Sequence, residues 1–401
     1  MKRAQYFHLY TACIILVMLH SMWAWFLWNI DIALLEGPAI LFGLMHISST
    51  NYYGRTPVKK LLLFAFVLVV ATLYKGEFGM HLPFKLKISL ILLLLLSNDE
   101  RLFILNTWTR FYAVLLAVSL VAWVVSLIGL LPSFGIITPP LDNDTYTYIN
   151  YGLCLQNISG MDNASRFTSI FLEPGHTATV AVFTIVANRF DFHNKYVKLI
   201  TLCTLFTLSL AGYVLLGVGY VLYLLSKTQK IEVFKKVFAF SLILLGVFIF
   251  AKNYKGGDNA INTMIIERLE YDSEKGISGN NRTNDYVDQQ YEHFMKSPDL
   301  LYGLSASDYR YLTDNSFWQG AGYKIYIMQK GILGTMLILL LYLSVFRFAN
   351  DKRFALCTLI VFVLAFIQRA YPMWNAWIYT YVLAISCNYN STYELTETER
   401  A

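Results

Sequence analysis

Long apolar runs recur along the whole chain, and they constrain its fold more than any other feature. A helix that crosses a bilayer needs about 20 apolar residues. Only 14% of the 401 residues are charged, against about 25% in soluble domains. This composition excludes a disordered chain, a soluble enzyme and a secreted disulfide scaffold, and it predicts an all-α polytopic membrane helix bundle. Twelve runs are candidate spans: 9–28, 31–48, 60–74, 84–97, 111–131, 168–188, 196–210, 212–226, 236–251, 324–346, 354–369 and 371–388.

Two regions depart from simple spans. Lys2 and Arg3 precede the first run as in a signal peptide, but no small-residue cleavage site follows. We therefore expect an uncleaved first helix. Residues 196–226 form an apolar stretch that is too long for one helix of about 20 residues. We expect two short helices there, broken at Ala211-Gly212.

Lysines and arginines are unevenly divided among the short connections. With the amino terminus inside, most of them fall on the cytoplasmic side, as the positive-inside rule requires. An even number of spans then places the carboxyl terminus inside as well. The predicted organisation has five segments: transmembrane helices over 1–131, a periplasmic loop over 132–167, central helices over 168–251, a large periplasmic loop over 252–323, and C-terminal helices with a cytoplasmic tail over 324–401.

The large loop over 252–323 has enough apolar residues to fold. Within 282–294, Val287, Tyr291 and Phe294 lie at helical spacing. We expect an amphipathic helix here, which acts either as a small cap packed on the bundle or as a lid over a substrate.

Several common catalytic signatures do not occur in the chain. It has no GxxxxGK[ST] phosphate loop, no HExxH, no GxSxG and no GxGxxG before a helix. The five cysteines form no CxxC pair, and no two histidines stand four residues apart. We expect no metal, no cofactor and no nucleic-acid partner, and we do not expect an ATP-driven pump, a zinc protease or a serine hydrolase.

Charged residues inside apolar runs are costly and are often functional. Glu36 lies in the second run, Arg369 ends the eleventh, and Glu173 and His176 begin the sixth. A structural ion pair is the alternative interpretation for each of them.

The stretch from Arg166 to His176 is the strongest of these candidates. Pro174 and Gly175 interrupt a helix there, which frees backbone groups to face a cavity. An arginine fork can bind a phosphate through two hydrogen bonds. A partly desolvated Glu173 can act as a general base.

Short motifs follow one another in the order found in a known family. They are RFTSIFLEPGH at 166–176, then Arg282, SPDLLYG at 297–303, DNSF at 314–317 and GILG at 331–334. With the predicted topology, they resemble the bacterial O-antigen polymerase and O-antigen ligase superfamily over about residues 110–350. Arg166, Phe171 and Pro174 fit the family's first motif, whereas Ser169 replaces its glycine and Gly175 its asparagine.

The resemblance implies a glycosyltransferase on the outer face of the bacterial inner membrane. Such enzymes transfer a glycan from undecaprenyl pyrophosphate to an acceptor hydroxyl, without a nucleotide sugar or a metal. The implied partners are this lipid-linked glycan, the bilayer, a chain-length regulator and a flippase. The implied roles are pyrophosphate binding for Arg166 and Arg282, general base for Glu173 or Asp314, and further substrate contacts for His176, Arg310 and Asn315.

The late-loop motif distinguishes the two branches of the family. Ligases typically have a histidine where this chain has Asp314-Asn315-Ser316, and His293 lies about twenty residues too early. The polymerase branch is therefore favoured over the ligase branch. A transporter or flippase of lipid-linked sugars is the rival from another class, although the two halves of the chain show no convincing internal repeat.

Overall fold

The computed structural model describes most of the chain. The described residues are 2–49, 58–75, 85–140, 146–159, 166–227, 235, 245–246, 248–259, 261–267, 271–272, 276–277, 285–313 and 321–388.

The protein is mostly helical, as the sequence predicts. Its longer helices, in chain order, are α1 (Lys2–Ser21), α2 (Ala33–Ser48), α3 (Val58–Leu73), α4 (Ile88–Leu95), α5 (Asn98–Leu127), α6 (Pro174–Ala187), α7 (Lys195–Phe206), α8 (Leu210–Lys227), α9 (Asp285–Met295), α10 (Ala306–Thr313), α11 (Gly322–Val345), α12 (Lys352–Gln368) and α13 (Asn375–Ser386). Three short strands form an antiparallel sheet in the order β1 (Ile136–Ile137), β2 (Tyr148–Asn150) and β3 (Leu155–Asn157), and β4 (Tyr271–Asp272) pairs with β5 (Gly276–Ile277).

Among the described residues, three helices are long and apolar enough to cross a membrane. They cover Asn98–Leu127, Leu210–Lys227 and Gly322–Phe348. Large apolar side chains point outward along α5, where Val114, Val118 and Val121 recur at helical spacing and are 44–65% exposed. A contiguous stripe of this kind is unfavourable in water and suits contact with lipid.

Helices α6 and α13 form the centre of the bundle, and every residue of both is buried. They pack on each other; α6 also contacts α7 and α8, while α13 contacts α1 and α12. Because both are surrounded by protein, their apolar sequences reflect burial in the core. An apolar run therefore does not by itself distinguish a lipid-facing span from a central helix.

Two predicted helix boundaries were wrong. The run 168–188 becomes helical only at Pro174, because the residue before a proline is driven to extended backbone; Glu173 has φ −138° and ψ 147°. Helix α5 begins at Asn98, well before the predicted 111. Ser97 and Glu100 form a capping box that starts it there.

Two other predictions on the helices had different outcomes. The apolar stretch 196–226 is broken into α7 and α8 as predicted, but the break lies at 207–209, ahead of Ala211-Gly212. The predicted run 236–251 lies largely outside the described residues.

Several contacts attach the late loop to the bundle, and the first involves its predicted helix. The predicted amphipathic helix is confirmed as α9, which buries Val287 and Phe294. Its Asp288 accepts a hydrogen bond of 2.7 Å from Lys324 at the start of α11.

A second attachment lies where α11 is kinked at Gly331 (φ 67°). There Leu304 N donates to Met328 O and Leu333 N donates to Leu301 O. The SPDLLYG segment is therefore held in the kink of a long helix.

Candidate functional site

Four helix ends meet at one end of the bundle, which we call the loop end. Glu173 precedes α6 and Trp374 precedes α13, so the two buried central helices both begin here. Arg369 follows the last residue of α12, and Gly322 begins α11 against the backbone of Arg369. The amino-terminal ends of α6 and α13 bring positive potential to this region.

The Glu173 carboxylate is the centre of a polar cluster at the loop end. Arg369 Nη2 donates to Glu173 Oε2 over 2.8 Å, and Tyr146 Oη donates to Glu173 Oε1 over 3.1 Å. His176 Nε2 lies 3.7 Å from Oε2. The Glu173 side chain is 23% exposed, whereas those of Arg369 and His176 are 4% and 2% exposed. The carboxylate is therefore the solvent-facing member of the cluster.

Two glycines make room for Arg369. A Cβ at Gly175 would lie 2.1 Å from Arg369 Nη2, and a Cβ at Gly322 would lie 2.3 Å from the Arg369 backbone nitrogen. Neither position can therefore carry a side chain while Arg369 stays in place. Within the described ranges, Arg369 Nε is buried without a hydrogen-bond partner.

An aromatic wall borders the cluster. The His176 ring meets Trp374 edge-on, with the centroids 4.6 Å apart, and Trp374 stacks on Tyr371 at 4.2 Å. Tyr371 is 40% exposed. Burial raises the pKa of Tyr309 on α10 to about 12, and the neighbouring Tyr371 adds to this shift. The late loop therefore reaches the same wall.

The loop before α6 is held in place by the three-stranded sheet. Tyr148 Oη donates to Leu172 O, and the Tyr146 and Tyr148 rings stack at 6.2 Å. The Glu173 charge raises the pKa of Tyr146 well above its usual range, and burial adds to the effect. The Tyr146 hydroxyl thus keeps its proton at neutral pH and remains a donor to Glu173.

The structure brings some of the predicted site residues together. Glu173 and His176 are in one cluster, as their spacing indicates. Arg166 Nε and Nη2 donate to Thr207 O and Leu208 O, both at 3.2 Å, in the connection between α7 and α8. Arg310 is exposed on α10. The remaining three predicted residues, Arg282, Asp314 and Asn315, lie outside the described residues.

Three members of the cluster were not selected from the sequence. Arg369 was noted as a costly charge, but its pairing with Glu173 was not predicted. Tyr146 and Trp374 were missed. The only sequence signal for Trp374 is that Tyr371 and Trp374 lie shortly after Arg369. Such aromatic residues are common at membrane interfaces, so they did not indicate a site.

Glu36 lies in a second buried network, between α2, α4 and α13. Ser89 Oγ donates to Glu36 Oε2, and Tyr379 Oη donates to Glu36 Oε1 over 3.4 Å. Lys87 Nζ donates to Asn375 Oδ1, at the start of α13. Glu36 is completely buried, so this network is closed to solvent on the carboxylate side.

No group of three His, Cys, Asp or Glu side chains in the described part of the chain could hold a metal ion. We found no match for the chain among protein-family models, curated proteins or solved structures.

Proposed function

We propose that this protein is a membrane glycosyltransferase that polymerises oligosaccharide repeat units carried on undecaprenyl pyrophosphate. In this proposal the chain crosses the bacterial inner membrane about twelve times, with both termini in the cytoplasm and the loop end in the periplasm. The product is an O-antigen, a capsule or an exopolysaccharide.

The observation that carries the proposal is the Glu173–Arg369 pair at the loop end. It joins a partly exposed carboxylate to a buried guanidinium at 2.8 Å, beside His176 and the Tyr371–Trp374 wall. A carboxylate can accept the proton of an attacking hydroxyl. A guanidinium can stabilise negative charge on a departing phosphate. An exposed aromatic face next to these groups suits the apolar face of a sugar ring.

The reaction needs one bond exchange and one proton transfer. The acceptor hydroxyl oxygen forms a bond to the anomeric carbon of the donor glycan, and the bond from that carbon to the pyrophosphate oxygen breaks with its electron pair. Glu173 takes the hydroxyl proton, and Arg369 neutralises charge on the leaving polyprenyl pyrophosphate. The energy comes from the pyrophosphate linkage, so the chemistry requires no nucleotide.

The outward apolar stripes support a lipid-linked donor. On α5 they include Val114, Val118 and Val121, and on α11 they include Met336 and Leu340. A polyprenyl tail would lie along such faces, with its pyrophosphate near the loop end. The large loop over 252–323 would then act as the lid, since Tyr309 already lies near Tyr371.

A gel of surface glycans from cells that lack the gene tests the proposal. The expected result is an acceptor that carries a single repeat unit where the parent strain gives a ladder. Loss of all glycan from the acceptor, with long lipid-linked chains accumulating, would indicate a ligase instead. An unchanged ladder would contradict both activities.

A lipid-linked sugar transporter is the second candidate, and the buried Glu36 network favours it. Ionisable residues inside membrane bundles often mark transport pathways. A transporter moves its substrate without changing chain length. Repeat units that accumulate on the cytoplasmic side of the deletion strain, with normal polymerisation of the remainder, would support this second candidate.

A further inference from the structure

The Glu173 carboxylate occupies a position that is built to hold an anion. Its two oxygens face Arg369 Nη2 at 2.8 Å, Tyr146 Oη at 3.1 Å and His176 Nε2 at 3.7 Å. All three are side-chain groups that can donate a hydrogen bond. They converge from three separate parts of the chain, namely the loop before α6, α6 itself and the end of α12.

Arg369 has donor capacity beyond its bond to Glu173. A guanidinium carries five N–H groups, and among the described residues its side chain makes one hydrogen bond, to Glu173. Its Nε is buried and has no partner there. The Glu173 carboxylate bonds to this fork through Nη2 alone, whereas a phosphate group offers more oxygens and more charge.

Access to Arg369 runs through the position of Glu173. The guanidinium is 4% exposed, and the carboxylate in front of it is 23% exposed. Gly175 lies directly against the guanidinium, and Gly322 lies against the Arg369 backbone. An anion that approaches the guanidinium from the side of Glu173 therefore competes with this carboxylate.

We propose that Glu173 is the resident occupant of a phosphate site on Arg369, and that a pyrophosphate-bearing substrate displaces it. Displacement separates the carboxylate from Arg369, and it becomes a stronger base because the guanidinium charge then favours its ionised form less. Substrate binding thus activates the base. This inference rests on the proposed function for the role of the base, but the anion exchange is a separate property of the site.

Calorimetry with inorganic pyrophosphate and the purified full-length protein in detergent tests the exchange. Glu173→Gln removes the competing charge, so pyrophosphate should bind about 5–150-fold more tightly than to the wild type, the usual range for coupled sites. Arg369→Gln should abolish binding, and the double variant should not regain it. Arg347→Gln is the matched control, since Arg347 is exposed beyond the far end of α11 and its loss should leave binding unchanged.

A thermal unfolding midpoint within a few degrees of the wild type shows which variants are folded. Should Arg369→Gln fail to fold, Arg369→Lys replaces it, with weakened binding expected. Unchanged or weaker pyrophosphate binding in folded Glu173→Gln overturns the exchange. Loss of pyrophosphate binding in Arg166→Gln, with binding kept in Arg369→Gln, would overturn the exchange and would place the pyrophosphate site at Arg166.

Two further arms identify the source of the phosphate. Nanodiscs with undecaprenyl pyrophosphate should compete with inorganic pyrophosphate far better than nanodiscs with phosphatidylglycerol alone. Equal competition by both would overturn the claim that the substrate bears pyrophosphate. Tighter binding in Glu173→Gln together with an unchanged glycan ladder in the deletion strain would uphold the exchange and reject the polymerase. Single-repeat glycans in the deletion strain, without tighter pyrophosphate binding in Glu173→Gln, would uphold the polymerase and reject the exchange.

Discussion

Glu36 and Glu173 are two carboxylates of the described part of the chain, and their environments differ in one decisive respect. Glu36 is completely buried and accepts hydrogen bonds from Ser89 and Tyr379. Glu173 is partly exposed, and its partner Arg369 has a buried Nε with no hydrogen-bond partner in the described part of the chain. The Glu36 carboxylate accepts its hydrogen bonds from within the bundle, whereas Arg369 Nε in the loop-end cluster has no partner among the described residues.

This difference separates a structural network from a candidate reactive site. A fully satisfied buried network rigidifies the helices that supply it. An incompletely satisfied network is costly unless a ligand completes it. We therefore expect changes near Glu36 to act on stability and changes near Glu173 to act on activity.

Gly175→Ala should have the largest effect on activity. The new methyl group would lie 2.1 Å from Arg369 Nη2 and would move the guanidinium. A displacement of about 1 Å in an active site can cost about 100-fold in rate, so we expect polymerisation to fall by that order. The rate of repeat-unit addition by purified protein measures it. Gly246→Ala is the control and should keep the wild-type rate, because a Cβ at Gly246 meets nothing within 4 Å. Equal losses of rate in both variants would mean that the loss in Gly175→Ala does not come from a displaced Arg369.

Ser89→Ala tests the other side of the comparison. It removes a hydroxyl that donates to the buried Glu36 and leaves an oxygen without this donor. The free energy of unfolding should fall by about 1–3 kcal/mol, while the rate per folded molecule stays unchanged. Denaturation in detergent measures the first quantity. Ser48→Ala, at an exposed serine of α2, is the control; a large loss of rate in Ser89→Ala would place Glu36 in the reaction.

Arg369→Lys sharpens the role assigned to the guanidinium. Lysine keeps the positive charge but loses the planar fork that holds two oxygens at once. We expect the rate of repeat-unit addition to fall about tenfold, which corresponds to about 1.4 kcal/mol. Arg347→Lys is the matched substitution outside the site. A full rate in Arg369→Lys would mean that charge alone is sufficient.

Tyr146→Phe should give the smallest effect. It removes the hydrogen bond that the Tyr146 hydroxyl donates to the Glu173 carboxylate. Because this carboxylate is partly exposed and keeps Arg369, we expect a loss of about 1 kcal/mol, or about fivefold in rate. Because Glu173 raises the pKa of Tyr146, the hydroxyl stays protonated as pH rises through the usual tyrosine range. The ratio of wild-type to variant rates should therefore be constant from pH 7 to about 9. A ratio that falls toward one across this interval would contradict the donor role.

Local sequence patterns predicted most of the helices, including α9 with its buried Val287 and Phe294, because apolar spacing reflects burial directly. They also placed Glu173 and His176 close together, since Glu173 directly precedes α6 and His176 lies in its first turn. The Glu173–Arg369 pair spans 196 positions, and no local pattern encodes it. The strands beside the site have only two or three residues each, too few to show an alternating pattern.

A gel of surface glycans tests whether the reaction takes place at the loop end. Genes for Glu173→Gln and Glu36→Gln replace the chromosomal copy in turn, and the surface glycans are compared at matched protein levels. The account predicts single-repeat glycans for Glu173→Gln and a normal ladder for Glu36→Gln. A normal ladder for Glu173→Gln, or its loss only in Glu36→Gln, would contradict the assignment of the reaction to the loop end.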